Sequence, residues 1–214
     1  KDVVSKFIDN RPNDRIGMVV FGEQAYTQCP LTLDQDILQS FLSKLEIGMA
    51  GDSTAIGSAI GIAVKRLKDL ESKSKVMILL TDGRSNAGAL PPIQAAQAAK
   101  TFGIKIYTIG VGTKGKAPFL VNSVFGQRYV YQEVDIDEVT LKEISKITGG
   151  QYFRATDVES LKNIYDQIDE MEKSEVKVID HSEYKELFYY FLVPGLLLLL
   201  LEAGLSNTLL RRVP

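Results

Sequence analysis

The sequence predicts an α/β protein, with a three-layer, mostly parallel, doubly wound sheet followed by a C-terminal transmembrane helix. Three observations carry this. The short apolar runs RIGMVVF, VMILL and IKIYTI are rich in Val and Ile and read as strands buried on both faces. Between them lie stretches with apolar residues at i, i+3 and i+4, the spacing of amphipathic helices. Near the C-terminus, Leu187–Leu201 reads LFYYFLVPGLLLLLL without a charge. Buried strands alternating with amphipathic helices are the pattern of a parallel sheet covered on both sides.

In chain order, Val3, Val4, Phe7 and Ile8 fall at helical spacing, and Pro12 ends that helix. Arg15–Phe21 is the first buried strand, Gly22-Glu23 turns the chain, and Ala25–Cys29 returns as an antiparallel edge strand. Thr32 with Gln35 has the form of a capping box. It opens a helix striped by Ile37, Leu38, Phe41, Leu42 and Leu45. Glu46–Ser53, with Gly48 and Gly51, is a loop. Ile56, Ala59, Ile60, Ala63, Val64 and Leu67 stripe the next helix, and Val76–Leu80 is a strand running into Thr81-Asp82-Gly83. An alanine-rich helix over Pro91–Phe102 stops at Gly103, and Ile104–Ile109 is the third strand. Gly110–Gly126 is expected to be a long irregular loop, with a hairpin around Tyr129–Val134. Asp137 caps a helix that Gly149-Gly150 ends, and Gln151–Phe153 is a short strand. Asp157 caps the last helix of the soluble part, carrying Leu161, Ile164, Ile168 and Met171. The expected division is a soluble domain over 1–172, a charged juxtamembrane linker over 173–186, a transmembrane helix over 187–210 and a cytoplasmic tail over 211–214.

Composition narrows the function. Hydrophobic residues make up 45% and charged residues 24% of the 214-residue chain, values of a folded protein. A net charge of −2 argues against a nucleic-acid surface, which needs a basic face. The single cysteine, Cys29, excludes an internal disulfide and reads as buried filler. Nucleophilic triads need a histidine, and the one histidine, His181, sits in the linker beside Asp180. No pair of carboxylates is placed by sequence as acid and base. The opening Lys1-Asp2-Val3-Val4 starts mid-pattern, with no signal peptide.

A membrane span needs roughly 20 apolar residues to cross about 30 Å of hydrocarbon. The uncharged run extends through Glu202 and AGLSNTLL to reach that length. Phe188, Tyr189, Tyr190 and Phe191 form an aromatic belt at one end, and Arg211-Arg212 a basic anchor at the other. Glu202 either faces a partner helix or sits in the basic interface. The positive-inside rule keeps the arginines cytoplasmic in an inner-membrane protein, so the soluble domain lies outside the cytoplasm.

Two segments carry the strongest site signal. Gly51-Asp52-Ser53-Thr54-Ala55-Ile56-Gly57 puts a hydroxyl at the mouth of a helix, and Ile78-Leu79-Leu80-Thr81-Asp82-Gly83 puts a carboxylate just past a buried strand. A hydroxyl, a carboxylate and waters suit Mg2+. Taken singly, Thr54 is equally a helix N-cap and Asp82 a turn residue. A second motif, Gly110-Val111-Gly112-Thr113-Lys114-Gly115 with Asp135 beyond it, matches a dinucleotide fingerprint on paper. It fails on context, because KAPFLVNSVFGQ offers no helix N-terminus for a pyrophosphate.

In order, GDSTAIG, ILLTDG and YTIGVG resemble the von Willebrand factor A-type domain and its metal ion-dependent adhesion site, over Lys1 to about Met171. RPNDRIGMVVFGEQAYTQCPLTLD, KSKVMILLTDG, GIKIYTIGVGT and ITGGQYFRATDVESLKNIY, with the C-terminal apolar helix, resemble the BatA branch of the bacterial Bat (aerotolerance-operon) proteins. The resemblance implies a membrane-anchored domain that works with sister Bat proteins and MoxR-type AAA+ ATPases. It also implies Thr54 and Asp82 as metal residues. The family's first strand, ending in Asp-x-Ser-x-Ser, has no counterpart here. The chain is therefore expected to be a fragment, with weak or no Mg2+ binding of its own and an open position between the Arg15 and Val76 strands. Three functions compete: a protein-binding module using the metal, a metal-independent scaffold that assembles a membrane complex, and a Mg2+-dependent hydrolase. No base or nucleophile accompanies the metal residues, so a non-enzymatic binding module is expected, its surface shaped by Asp52, Ser53, Arg84, Ser85 and Asn86.

Overall fold

The buried runs become strands and the striped segments become helices. The structure, a computed structural model, describes residues 1–72, 74–112, 115–123, 126–134, 136–180 and 188–207. The elements are α1 (Asp2–Asp9), β1 (Ile16–Phe21), β2 (Ala25–Thr32), α2 (Gln35–Ser43), α3 (Ile56–Leu67), β3 (Lys75–Thr81) and α4 (Pro92–Thr101). They continue with β4 (Ile104–Val111), β5 (Gly115–Ser123), β6 (Gly126–Val134), α5 (Glu138–Thr148), β7 (Tyr152–Ala155), α6 (Val158–Asp180) and α7 (Phe188–Asn207). The chain divides into two compact units, Lys1–Val176 and Lys177–Pro214.

In the first unit β3, β4 and β7 form a parallel sheet in that order. Met77 lies opposite Ile106 and Leu79 opposite Thr108, while Thr108 in turn faces Tyr152. Side chains alternate across the pleat, so each strand feeds two layers. On one face Met77, Leu79, Ile104 and Ile106 pack against Ile56, Ile60 and Val64 of α3, three alanines of α4, and Leu141 and Ile144 of α5. On the other face Tyr107, Ile109, Phe153 and Ala155 meet Ile164, Tyr165 and Ile168 of α6, with Val3, Val4 and Phe7 of α1 against them. These are the three layers read from the sequence. Ala95, Ala96 and Ala99 of α4 are fully buried, and their small side chains let that helix come close to its neighbours.

β1 and β2 pair antiparallel in a separate two-stranded sheet, with Val20 opposite Tyr26 and Phe21 opposite Ala25. Ile8, Cys29, Leu38 and Leu42 make a smaller core beneath them. Cys29 is buried, and burial, followed by the charge of Asp34, pushes its thiol pKa up. Among the described residues β1 and β3 share no ladder, so each presents an unpaired edge to the position expected to be open.

Three expectations are corrected. Thr32 is the last residue of β2, not a cap. Its Oγ1 accepts from Asp34 N at 2.9 Å, and the Asp34 carboxylate accepts from Ile37 N at 3.0 Å to cap α2. The strand runs past Pro30, which a sheet edge tolerates. Gly110–Gly126 is not irregular: β5 and β6 pair antiparallel along their whole length, with Phe119 opposite Val130 and Leu120 opposite Tyr129. Aromatic and β-branched content outweighs the interruption at Pro118. The segment expected as a linker from residue 173 opens as helix, because α6 continues to Asp180. EMEKSEVKVID holds no Gly or Pro, and charge alone does not stop a helix. His181, linker residues 181–186, the end of the expected membrane segment at 208–210 and Arg211-Arg212 lie outside the described residues.

In the second unit α7 covers 20 residues, with Pro194 inside it, and Leu192, Val193, Leu196, Leu198 and Leu199 are exposed. Only part of its side chains are described. Among the described residues no helix is long and apolar enough to cross a membrane. The span expected over 187–210 is thus not established by the fold.

Candidate functional site at the carboxyl edge of the sheet

Thr54 is not the cap of α3. The N-cap position belongs to Ala55, which has no side chain to cap with, and Thr54 stands one residue outside the helix. Its backbone is clamped to the loop after β3. Thr54 N donates to Asn86 Oδ1 at 2.7 Å, and Thr54 O accepts from Asn86 N at 3.1 Å and from Ala87 N at 3.3 Å. The hydroxyl takes no part in these bonds and remains available.

Glycine lets the exit of β3 run against Thr54. A Cβ at Gly83 would lie 2.8 Å from Thr54 Oγ1, so only a residue without one lets the exit of β3 run against Thr54. Asp82, the residue before it, is exposed, and Thr54 is half-buried. Gly83 N donates to Thr81 Oγ1 at 3.3 Å, which tightens the turn that carries Asp82. The β1–β2 turn closes the third side: Ala55 N donates to Gly22 O at 2.8 Å, and Gln24 N to Ala50 O at 3.1 Å. A Cβ at Gly22 would meet Gly51 O at 2.6 Å. Three loops far apart in sequence thus converge at the carboxyl ends of the strands, where parallel sheets place ligands.

Thr54 and Asp82 offer two hard oxygen donors of the type Mg2+ selects, and a cation that keeps several waters needs few protein ligands. The donor types therefore fit a Mg2+ ion, while their number is small. Among the described residues no group of three or more His, Cys, Asp or Glu is placed to hold a metal. Asn86 was visible in the sequence only as a surface residue. Its clamp on Thr54 depends on the loop after β3 folding back over the α3 entrance, which spacing does not reveal.

The glycine motif lacks the strand-to-helix setting of a dinucleotide fingerprint. Gly110 lies within β4 and Gly115 opens β5, so a strand and not a helix follows, while Thr113, Lys114 and Asp135 lie outside the described residues. Arg154, ion-paired with Glu138, donates to Gly112 O at 3.1 Å and ties this exit to the start of α5. Beside it the Tyr152 hydroxyl is buried without a hydrogen-bond partner. Burial, and then the charge of Glu138, pushes its pKa up against the opposing effect of Arg154 and Lys142.

A doubly wound sheet with loops converging on a hydroxyl and a carboxylate is the frame of a ligand-binding α/β domain. The chain belongs to the von Willebrand factor type A domain family, whose pattern matches residues 1–167. An uncharacterized protein of Borreliella burgdorferi is 30% identical over 215 residues, covering 100% of this chain and 63% of its own length. The chain thus spans less than two thirds of that relative. Among solved structures, the conserved hypothetical protein BatB from Bacteroides thetaiotaomicron is similar with a TM-score of 0.65 and 30% identity, over 80% of this chain and 86% of its own. An aerotolerance-related membrane protein from Bacteroides fragilis, carrying multiple mutations to serines, matches with a TM-score of 0.64 and 28% identity, over 78% and 84% of the two chains. These neighbours agree with the Bat-like character read from the sequence.

Proposed function

We propose that this chain is part of a membrane-anchored protein-binding module. In it Thr54 and Asp82 hold a Mg2+ ion that receives an acidic side chain from a protein partner. The observation that carries the reading is the clamped Thr54, whose hydroxyl is spared from capping and set against the exit of β3 beside Asp82. A bound Mg2+ supplies a Lewis-acidic position for a carboxylate. The chain's own groups orient it: Asn86 fixes Thr54, and the Thr81–Gly83 turn fixes Asp82. The family's Asp-x-Ser-x-Ser ligands are absent from the sequence, so strong binding requires the strand that carries them. Among the described residues no histidine or hydrogen-bonded nucleophile–base pair lies at this edge, which favours capture over hydrolysis.

Membrane anchoring belongs to the same reading. α7 forms one helix over most of the uncharged run, and the sequence continues past it with Thr208, Leu209 and Leu210. Glu202 is the one charged residue in α7, and one similar solved protein is described as a membrane protein. Arg211-Arg212 would then stay cytoplasmic and the domain would lie on the outer side of the inner membrane. Partners consistent with Bat-like character are sister Bat proteins and a MoxR-type ATPase.

The test measures capture of those proteins by the chain, carrying the family's Asp-x-Ser-x-Ser strand at its amino end, with Mg2+ and with EDTA. Asp82→Ala and Thr54→Val should each weaken Mg2+-dependent capture at least about tenfold, the equivalent of about 1.4 kcal/mol, with the fold unchanged. Capture that ignores both EDTA and Asp82→Ala would instead support the metal-independent scaffold, which the unpaired edges of β1 and β3 favour.

A further inference from the structure

The opposite, amino-terminal edge of the parallel sheet has a cavity of about 400 Å3, lined by Lys100, Gly103, Lys105, Lys146, Thr148 and Gly149 among others. The three lysines come from three elements: Lys100 from the last turn of α4, Lys146 from the last turn of α5, and Lys105 from β4. No carboxylate lines the cavity. Lys105 is already paired, its Nζ lying 3.1 Å from Glu172. Lys100 and Lys146 have no carboxylate partner among the described residues.

A lysine in a last helical turn ordinarily meets the unpaired carbonyls and negative dipole of the helix end. Here backbone N–H groups take that role. Phe102 N donates to Ala99 O at 3.1 Å and Gly103 N to Lys100 O at 3.0 Å. Gly149 N donates to Lys146 O at 3.4 Å and Gly150 N to Ser145 O at 2.9 Å. Gly103 and Gly149 adopt positive φ, 66° and 76°, to close these turns, and a Cβ at either would meet nothing within 4 Å. The turns are thus satisfied from within, and the space above them is open. Lys100 and Lys146, both exposed, remain as lining residues of one open cleft without a carboxylate partner among the described residues.

We propose that this cavity is an anion site for a dianionic phosphoryl group. A phosphate monoester carries about −1.5 to −2 charges at pH 7, which balances two lysines where a carboxylate balances one. Lysine suits such a group as a point charge that needs no planar geometry. The thiol-free, histidine-free lining excludes a soft metal. The phosphoryl group is either free in solution or the headgroup of phosphatidic acid, and the site is independent of the Thr54–Asp82 edge.

The test is lysine acetylation footprinting of the full chain in phosphatidylcholine nanodiscs, with exposed Lys65 on α3 as internal reference. Inorganic phosphate at several times its dissociation constant should slow acetylation of Lys100 and Lys146 about fivefold by mass action. Acetate at equal ionic strength should not, and Lys65 should be unaffected. Lys100→Gln should release the protection of Lys146, because one anion bridges both. In a second arm, phosphatidic acid in the disc without free phosphate produces the same protection if the source is the headgroup, and none if the source is soluble. No protection in either arm would overturn the proposal. So would equal protection by acetate, or protection of Lys146 that survives Lys100→Gln.

Discussion

Glu172→Gln should cost this domain about 2 kcal/mol, although the two side chains have nearly the same shape. Glu172 is 4% exposed and lies near the point where α6 leaves the sheet. Its carboxylate accepts from Tyr107 Oη at 2.6 Å, from Lys105 Nζ at 3.1 Å and from Ser74 Oγ at 3.0 Å. Hydrogen bonds to a charged group contribute about 1.5–3 kcal/mol each, against about 0.5–1.5 for neutral pairs. Neutralising the acceptor therefore weakens three bonds by about 1 kcal/mol apiece, partly offset by the relief of burying a charge. Removing the group altogether in Glu172→Ala should cost about 3–5 kcal/mol, as when one partner of a buried pair is lost.

The acid dependence follows from the same contacts. Burial alone pushes the Glu172 pKa up, but the bonds from Tyr107 and Lys105, the Lys105 charge and the Ser74 bond outweigh it and hold the carboxyl below its ordinary value. A folded pKa below the unfolded one, about 4.3, means that the carboxylate stabilises the fold fully above that pH. The contribution is lost as pH falls through the folded value. Urea unfolding of the detergent-solubilised chain, followed by far-ultraviolet circular dichroism, reads both effects. At pH 7 the wild type should exceed Glu172→Gln by about 2 kcal/mol, and the gap should shrink toward zero in acid. A gap under about 0.5 kcal/mol at pH 7, or one that widens in acid, would refute the reasoning.

Two further predictions use the same unfolding measurement. A Cβ at Gly57 would sit 1.9 Å from Leu90 O and one at Gly150 2.0 Å from Ile106 O, both backbone atoms. Gly57→Ala and Gly150→Ala should each cost about 3 kcal/mol or more by overpacking. Gly149→Ala, with open space but a φ of 76°, should cost only the left-handed penalty of about 1–2 kcal/mol. Equal losses at Gly149 and Gly150 would show that backbone conformation outweighs the steric clash. Tyr152→Phe removes a buried hydroxyl without a partner and should be neutral or stabilising by about 1 kcal/mol. A clear loss of stability would reveal a bridging water.

Periodicity located the parallel sheet because its strands are buried on both faces and its helices on one. The runs at Val76–Leu80 and Ile104–Ile109 are unbroken for that reason, and the structure extends each by only a residue or two. The β5–β6 hairpin is only half legible in the sequence, since Pro118 and scattered polar residues break the apolar run that marks a strand. The sequence ends α6 near Met171 because its apolar stripe stops there, whereas the charged residues that follow continue the helix to Asp180. At the site, residue type named Thr54 and Asp82. The approach of the β3 exit to Thr54 rests on Gly83, whose missing Cβ admits Thr54, and on Asn86, whose amide bonds across the loop. Neither is a periodic feature. The contacts of Glu172 were hidden for a related reason: Ser74, Lys105 and Tyr107 become neighbours only when β3 and β4 lie in register beneath α6.

The two ends of this sheet have opposite electrostatic character, and the parallel topology is the cause. The strands of the parallel sheet lead into α4 and α6 at their carboxyl ends, and the entrance of α3 is hydrogen-bonded to the loop after β3 at that same edge. Helix N-termini carry partial positive charge and favour anions. At that edge the first turns are met by Asp137 and Asp157, which cap α5 and α6, while Thr54 is left over at α3 because Ala55 occupies the cap. The same topology collects helix C-termini at the other edge, together with the last-turn cations Lys65, Arg66, Lys100 and Lys146. In the proposed binding reading, an acidic partner residue arriving at the Thr54 edge would meet helix N-termini, with a bound cation to offset Asp82. A phosphoryl group at the other edge meets lysines whose helices are already closed by glycine turns. Moving the hydroxyl from residue 54 to residue 55 would direct it into capping α3. Thr54→Ala combined with Ala55→Ser should therefore keep the helix and lose Mg2+-dependent capture. Capture that persists in this double variant would mean that the hydroxyl is not a ligand.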